Sequence, residues 1–249
     1  MISCLRNINK DKFEYLSLRF LIIFECEKMA ITDFDGTLRR RNAAYDFAVM
    51  VGREKEAKEL YFNIHSRGKE IIGEEKNQSH LIKKLDMLYQ SLLQMGSSLL
   101  QGIPTSRISQ ISYQPTPQLP KIVEIAEKEG SLDIGTLTHE GFAENFIEVN
   151  KEKLPACCKI VSASKLKENN GFFTGEIERF SGIETKMHSY RGGSVFANSI
   201  TDVGICIKAS ESRNGDKIYV IRDNDESVLS ENAVLEDFLE KSEIPFSYL

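Results

Sequence analysis

Two aspartates that stand two residues apart are the part of this sequence best suited to chemistry. Asp33 and Asp35 lie in AITDFDGT, directly after an apolar run, and Gly36 and Thr37 follow them. A polar turn at the end of a buried strand would explain the segment, with Asp35 and Gly36 as its bend. A site for a cation and a phosphate would explain it too, because Mg²⁺ prefers oxygen ligands and a hydroxyl can donate to phosphate.

Polar residues also follow other apolar runs of the chain. Thr138, Asn198 and Asp202 come after such runs, and Lys186 stands in GIETKMH. In an open parallel sheet, ligands bind beyond the carboxyl ends of the strands. We therefore expect these side chains to lie near Asp33, at one edge of a sheet.

The segment DFDGT resembles the first motif of the haloacid dehalogenase superfamily of phosphohydrolases, Asp-x-Asp-Gly-Thr after a strand, at every fixed position. The chain is most similar to the phosphoserine-phosphatase-like branch of that superfamily. Thr138 takes the hydroxyl position of the second motif, with EGF closely after it, and NNGFFTGEIE is similar to the Gly-x-x-Thr-Gly hairpin. The helical segment after the first motif resembles the cap of that branch. The similarity covers roughly residues 29 to 210.

The resemblance implies a role for each of these residues. Asp33 is the expected nucleophile, which attacks phosphorus to form an aspartyl-phosphate. Asp35 is expected to protonate the leaving alcohol and then to activate water, and Lys186 to stabilise the transition state. The residues expected to contact phosphate are Thr138, Lys186 and Gly36, and those expected at the Mg²⁺ are Asp33, Asp35 through its main-chain carbonyl, Asn198 and Asp202.

The fourth motif departs from the family pattern, which usually reads Gly-Asp-x-x-x-Asp. This chain has Ala197 and Asn198 at the first two positions and keeps the second acid, Asp202, as an outer or adjacent ligand. An amide oxygen can coordinate Mg²⁺ but brings no charge, so we expect weaker metal binding. The alternative is that Asn198 only begins a turn.

The residues after the first motif bear on the substrate. Phosphoserine phosphatases carry a glutamate that meets the amino group of the substrate, and Asn42 stands at that position here. Arg39, Arg40 and Arg41 precede it. A basic loop beside the site fits a substrate with additional negative charge, and it fits an ordinary solvated loop equally well.

Strands and helices must position these residues, and the two kinds of element alternate along the chain. This alternation predicts an α/β fold with a doubly wound, mainly parallel, Rossmann-like sheet. We predict helices over 43–68 (as one or two), 79–100, 121–130, 140–150 and 231–242, and strands over 29–33, 132–137, 157–164, 194–198, 203–209 and 217–223, with a hairpin over 169–177. The short spacing from Lys186 to Asn198 leaves room for a short helix or none.

The helical stretch after the first strand interrupts this alternation, so we expect an inserted cap domain. The predicted core comprises residues 29–41 and 113–249, and the predicted cap 42–112. Residues 1–28 are expected to form an N-terminal extension, such as an extra strand and helix, with no assigned function.

Composition narrows the class of protein. The net charge of −5 gives no general attraction to nucleic acid or to anionic membranes, so neither is an expected partner. The longest apolar stretch near the N-terminus, 20–24, is far too short to span a bilayer. The five cysteines show no C-x-x-C spacing, which favours a reducing, cytoplasmic location.

The sequence as a whole predicts a Mg²⁺-dependent phosphatase that hydrolyses a small, soluble phosphate monoester through an aspartyl-phosphate. Two alternatives stay open: a catalytically weak relative that binds a phosphorylated ligand or a protein partner, and a phosphotransferase with an acceptor other than water. The oligomeric state stays open as well.

Overall fold

The computed structural model describes residues 28–212, 215–222 and 226–249, without the side chains of 226–231. The extension predicted over residues 1–28, with its strand and helix, lies outside the described residues apart from Lys28.

The described segments form one seven-stranded sheet in the order β4-β3-β2-β1-β5-β6-β7. The strands are β1 (Ala30–Thr32), β2 (Leu132–His139), β3 (Cys158–Asn169), β4 (Phe172–Arg179), β5 (Val195–Ala197), β6 (Ile218–Val220) and β7 (Ser247–Tyr248). Neighbouring strands are parallel except for the antiparallel pair β3 and β4. The chain winds outward from β1 through β2 and β3 and then returns to the other side of β1 at β5. The direction of winding therefore changes at β1, as expected of a doubly wound sheet.

Helices cover both faces of this sheet. They are α1 (Ala43–Met50), α2 (Glu54–Glu74), α3 (Gln78–Leu99), α4 (Leu119–Glu129), α5 (Glu140–Asn150), α6 (Ile183–Ser189), α7 (Val203–Ser210) and α8 (Glu226–Lys241). Successive strand residues enter different apolar clusters, because side chains alternate between the faces of a strand. Ala30 and Phe196 belong to one cluster, and Ile31 and Val195 to the other. The predicted α/β class is confirmed.

Residues 43–99 form α1, α2 and α3 and contribute no strand to the sheet. The buried leucines of α3 recur at helical spacing, as the sequence predicts. On α1, the ring of Phe47 packs edge-on against Phe142 of α5, with 5.5 Å between the ring centroids. On α3, Gln94 Nε2 and Ser97 Oγ donate to the carbonyl of Gly175 in β4, at 3.1 and 2.9 Å. This helical block is therefore attached to the sheet at several points, and its identity as a separate cap stays a prediction.

The hairpin predicted over 169–177 is present as β3 and β4. Asn170 and Gly171 form its turn with φ of 51° and 80°, the left-handed backbone that a tight two-residue hairpin requires. The hairpin holds the carbonyl of Gly175 where α3 can donate to it, so the turn helps to fix the position of that helix.

The strand predicted over 203–209 is wrong: this segment is helix α7. Its side chains are buried on nearly every side, so the apolar run has no polar face from which a helical period could be read. A local signal does mark the start of a helix here. Ser199 Oγ accepts a hydrogen bond from the main chain of Thr201, and Asp202 Oδ2 accepts one from the N–H of Ser199. Together they form the capping box of a short 3₁₀ helix, Ile200–Asp202, which leads directly into α7.

Within the described part of the chain, the helices are all too short or too polar to cross a membrane.

Candidate active site

Asp33 is the first residue beyond the carboxyl end of the central strand, β1. Its N–H donates to the carbonyl of Phe196 in β5 at 3.1 Å, which keeps Asp33 in line with the sheet. The chain then turns back at once, because the N–H groups of Leu38 and Arg39 both donate to the carbonyl of Phe34. The acidic motif thus lies where the winding of the sheet reverses, the place at which open α/β sheets bind ligands.

Gly36 lets this loop pass close to Asn198. Its φ is 77°, and a Cβ at this position would lie 2.0 Å from Asn198 Nδ2. Thr37 Oγ1 donates to Asn198 Oδ1 at 3.1 Å. The first and fourth motifs of the sequence are therefore in direct contact.

Lys186 joins two of the predicted site residues. Its Nζ donates to Asp33 Oδ1 at 2.6 Å and also to Asp202 Oδ1, and its side chain is completely buried. The other carboxylate oxygen of Asp202 accepts from the N–H groups of Asn198 and Ser199, at 2.8 and 3.1 Å. The predicted residues on β1, α6 and the segment after β5 thus form one hydrogen-bonded cluster.

The short helix α6, which carries Lys186, is held at its start by a residue of α3. Asp86 accepts hydrogen bonds from the N–H groups of Ile183 and Glu184, at 2.5 and 3.2 Å. The preceding Gly182 leaves room for that carboxylate, because a Cβ there would lie 2.2 Å from Asp86 Oδ1. Gly182 at the N-cap position has no side chain, so Asp86 accepts the hydrogen bonds that an N-cap side chain would otherwise accept.

The cluster carries more negative than positive charge when its acids are ionised. Burial raises the pKa of Asp33 to about 7; the carboxylates of Asp202 and Asp35 add to the rise, and the Lys186 ammonium opposes it. Burial by itself lowers the pKa of Lys186, but the carboxylates of Asp202 and Asp33 raise it above its ordinary value. Lys186 is therefore charged at neutral pH, and a further cation would favour the ionised form of Asp33.

Asp35 is placed by helix α1. Its Oδ1 accepts from the N–H of Ala43, the first residue of that helix, at 2.7 Å. Burial raises the pKa of Asp35 to about 6, although Arg39 and the hydrogen bond from Ala43 act in the opposite direction. A carboxyl group with a pKa near neutral can both give and take up a proton at that pH.

A cavity of about 210 Å³ opens onto Asp33 and Asp35, and Thr136 and Thr138 also line it. Thr138 Oγ1 is buried and has no hydrogen-bond partner among the described residues. Thr136 Oγ1 accepts from the N–H of Thr138 at 3.2 Å, which leaves its own hydrogen available. Sequence reasoning missed Thr136, although in an extended strand residues two apart share a face.

Tyr89 of α3 is a second residue that sequence reasoning missed. It lines the same cavity. Burial raises its pKa, and the nearby carboxylates of Asp202 and Asp33 add to the rise, so its hydroxyl stays protonated. No sequence signal marks it, because Tyr89 stands among other apolar residues of an amphipathic helix.

The arginines after the first motif do not line this cavity. Arg39 is buried and donates to Asp46 Oδ2 at 2.5 Å and, through Nη2, to the carbonyl of Ser112 at 2.7 Å. Arg40 and Arg41 are exposed, and both have interaction partners of their own. Arg39 therefore anchors the loop to α1, and for this residue neither the solvated loop nor the contact with a charged substrate that the sequence left open describes its position.

A metal ion at this site would have few charged ligands. Among the described residues, no three histidine, cysteine, aspartate or glutamate side chains converge where they could bind a metal. Both carboxylate oxygens of Asp202 are already engaged. The other candidate donors are the Asp33 carboxylate, the main-chain carbonyl of Asp35 and the side-chain oxygen of Asn198, although Asn198 Oδ1 already accepts from Thr37 and Asp33 Oδ1 from Lys186. All are oxygens, and this donor set together with the excess negative charge fits a loosely held Mg²⁺ that keeps several waters.

Comparison with known proteins identifies the fold. Neither a protein-family model nor a curated protein matches the sequence. Among solved structures, a phosphoserine phosphatase described as an analogue of its phospho-aspartyl intermediate matches with a TM-score of 0.56 and 15% identity, over 85% of this chain and 90% of that one. A HAD family hydrolase from Salmonella enterica serovar Typhi matches with a TM-score of 0.55 and 11% identity, over 90% of this chain and 75% of that one.

A phosphoserine phosphohydrolase-like protein from Francisella tularensis matches with a TM-score of 0.55 and 14% identity, over 85% of this chain and 99% of that one. The TM-scores show a common fold. At identities this low they do not show a common activity, so the chemistry has to be argued from the residues. The chain has the fold of the haloacid dehalogenase superfamily, in the form found in phosphoserine phosphatases.

Proposed function

We propose that the protein is a phosphatase that hydrolyses a small phosphate monoester. The observation that carries this proposal is the Asp33 carboxylate, which borders the cavity and accepts a hydrogen bond from the buried Lys186 ammonium. A purely structural ion pair would not need a cavity in front of it, with a second acid and two hydroxyls in the same wall.

The residues divide the reaction between them. Asp33 attacks phosphorus and forms an aspartyl-phosphate, while Asp35 gives its proton to the departing alcohol. Asp35 then takes a proton from the water that hydrolyses the intermediate. Thr138 donates to a phosphoryl oxygen, and Lys186 stabilises the charge on Asp33 and on the transition state. The phospho-aspartyl analogue named for one similar structure supports Asp33 as the nucleophile.

Mg²⁺ is the proposed cofactor. Asp33, the main-chain carbonyl of Asp35 and Asn198 would hold it, with Asp202 behind them. When bound, it supplies positive charge next to the phosphate. Because only one of the direct ligands is charged, we expect this chain to bind Mg²⁺ more weakly than a protein with aspartate at position 198.

The helices α1, α2 and α3 are proposed to act as a cap over the site, within the predicted boundaries 42–112. They supply most of the cavity wall opposite the strands, and a wall of this kind excludes water from the reaction.

A cytoplasmic location is part of the same proposal, and the cysteines of the described residues, which are unpaired, are consistent with it.

The test is hydrolysis of para-nitrophenyl phosphate with and without Mg²⁺ by the wild type, Asp33→Asn and Asp237→Asn. The last variant makes the same chemical change at an exposed position of α8. We expect Mg²⁺-dependent turnover in the wild type and in Asp237→Asn, and a loss of at least about a thousandfold in Asp33→Asn. Full activity in Asp33→Asn would contradict the mechanism.

A protein that binds a phosphorylated ligand with little turnover is a second candidate, and Asn198 is the observation that favours it. The variant Asn198→Asp separates the two. Activity that emerges only in this variant would mean that one amide limits the metal site and would favour the binding protein. Activity already present in the wild type would favour the enzyme.

A further inference from the structure

The cavity in front of Asp33 is apolar over most of its wall. Leu60 and Ile64 of α2, Leu92 of α3 and Phe142 of α5 are among the side chains that form it. Contact with such a wall stabilises the hydrocarbon part of a ligand, whereas a charged group there loses its hydration without compensation. The part of a substrate that lies beyond the phosphate is therefore in contact with hydrocarbon.

The same wall has no partner for a second charged group. Asp33 and Asp35 are the only acidic residues that line it, and no lysine or arginine lines it in the described part of the chain. Lys186 lies behind Asp33, and Arg39 is engaged with Asp46. A carboxylate or a second phosphate in contact with this wall would lose hydration without gaining a counter-charge, which is unfavourable.

An ammonium group on the substrate would be no better placed. Asn42 lines the cavity at the position where phosphoserine phosphatases carry a glutamate. Its Oδ1 accepts from the N–H of Tyr45 at 2.9 Å and thereby caps α1. This carboxamide has no charge to offer, and its oxygen is already used.

The wall also offers a partner to a polar, uncharged group. His65 of α2 lines the wall, and its Nε2 is shielded from solvent with no hydrogen-bond partner among the described residues. Its ring is stacked on Tyr61 with an interplanar angle of 11°, which fixes its direction. A buried nitrogen of this kind is available to a hydroxyl or carbonyl of a ligand.

The size of the cavity limits the alcohol. A cavity of roughly 150 Å³ in another protein accommodates benzene. At about 210 Å³, this one has space for an aromatic ring or a branched chain of similar size beside the phosphate.

We propose that the substrate is the phosphate monoester of an aromatic or branched apolar alcohol with no charged group besides the phosphate. This inference rests on the proposed phosphatase function and adds the substrate class to it. It excludes phosphoserine, whose carboxylate and ammonium would both be unpaired in this cavity.

Three alkyl phosphates with similar leaving groups test the proposal: benzyl phosphate, O-phosphoserine and glycerol 3-phosphate. We expect kcat/KM for benzyl phosphate to exceed that of the other two by at least about tenfold. Hydrolysis of O-phosphoserine or glycerol 3-phosphate as fast as that of benzyl phosphate would overturn the proposed substrate class and leave the phosphatase function intact.

A binding measurement tests the substrate class even if no ester is hydrolysed, in which case the phosphatase function itself has failed. Calorimetry compares benzylphosphonate with 2-amino-4-phosphonobutyrate, a non-hydrolysable mimic of phosphoserine. Tighter binding of benzylphosphonate by at least about tenfold supports the apolar site. Equal or weaker binding overturns it.

A pair of variants on α2 tests whether the alcohol part of the substrate lies against this wall. Ala57 is buried in the cavity wall, whereas the adjacent Lys58 is exposed. Ala57→Leu fills part of the cavity, so we expect the ratio of kcat/KM for benzyl phosphate over ethyl phosphate to fall about tenfold. Lys58→Leu adds the same side chain on the exposed face and leaves that ratio unchanged. Equal ratios in the two variants would place the alcohol elsewhere.

Discussion

At the scale of single residues, the structure requires glycine at position 36 for two reasons, a positive φ and the close approach of Asn198, and experiment can separate them. Gly36 has φ 77° and a neighbour at 2.0 Å from a Cβ, whereas Gly52 has φ 80° and nothing within 4 Å. Gly52→Ala therefore introduces backbone strain alone, about 1 kcal/mol. Gly36→Ala adds a clash with Asn198, so we expect it to cost about 3 kcal/mol and to lower turnover. Urea unfolding of both variants measures the difference, and equal losses would mean that the contact with Asn198 is not maintained.

His139 makes the stability of the fold depend on pH. Its ring packs edge-on against Phe142 and Phe173, and its Nδ1 accepts from the N–H of Leu166 at 3.3 Å, so this nitrogen carries no proton. Burial lowers the pKa of His139 from 6.5 to about 4. The unfolded chain therefore takes up a proton at a higher pH than the folded one, and the contribution to stability present above pH 6.5 is lost as the pH falls towards 4.

We expect this histidine to account for a loss of about 2 kcal/mol in the free energy of unfolding between pH 7 and pH 5. The measurement is urea unfolding of the wild type and of His139→Gln at the two pH values. The variant should lose less stability than the wild type over this interval. The same loss in both proteins would assign the pH dependence to other groups.

Single residues also show what local sequence can and cannot reveal. Asp33 and Asp35 could be singled out because their types and their position after an apolar run match a known motif, and Lys186 could be singled out through the same family resemblance. The structure brings Lys186 and Asp33 together, as expected, but their roles await the kinetic test. Tyr89 could not be singled out, since only the packing of α3 over the strands brings its hydroxyl near two carboxylates.

At the scale of elements, α3 holds in place the start of α6, the helix that carries Lys186. Asp86 of α3 accepts from the first N–H groups of α6, so Asp86→Ala leaves these groups without that acceptor. We expect a loss of about 1 kcal/mol in stability and a fall in kcat with little change in KM, because Lys186 moves relative to Asp33. Kinetics with para-nitrophenyl phosphate and urea unfolding check both effects.

Ser91→Ala provides the control for Asp86→Ala. The Ser91 hydroxyl donates within α3, to the carbonyl of Met87, and it is exposed. This variant should retain the wild-type kcat. A similar fall in kcat for both variants would indicate a general effect on α3 and contradict a specific link from Asp86 to Lys186.

A helix with one apolar and one polar face can be predicted from the sequence, whereas a helix that is buried on all sides cannot. The leucine spacing of α3 identifies it as a helix because polar residues fill the other face. Segment 203–209 gives no such contrast, so the sequence predicts a strand where the structure has the helix α7. Burial on every side is a property of the assembled protein, so the local pattern could not distinguish the two.

At the scale of the whole molecule, the cavity lies between the ends of the strands and the helices α1, α2 and α3. A ligand there contacts both parts and binds only the folded chain, so it must raise the free energy of unfolding. With Mg²⁺ and orthovanadate at about a hundred times its Kd, we expect a gain of about 2.7 kcal/mol and a rise in Tm of roughly 5 to 10 °C.

Thermal unfolding with and without orthovanadate checks this prediction, and Asp33→Asn serves as the comparison. The rise in Tm should shrink in that variant, because an asparagine amide is a weaker ligand than the carboxylate, both for vanadium and for the Mg²⁺ that offsets the charge of the anion. An identical rise in both proteins would place the anion outside the cavity.

The hydrogen bond between Lys186 and Asp33 joins residues 153 positions apart in the chain. At a synthesis rate of about 5 to 20 residues per second, the lysine leaves the ribosome roughly 8 to 30 seconds after the aspartate. During that interval the nascent chain contains Asp33, the proposed nucleophile, without the cation that stabilises its ionised form in a buried position. The candidate site therefore has no stable form before Lys186 emerges and is completed only when α6 and the fourth motif have been synthesised.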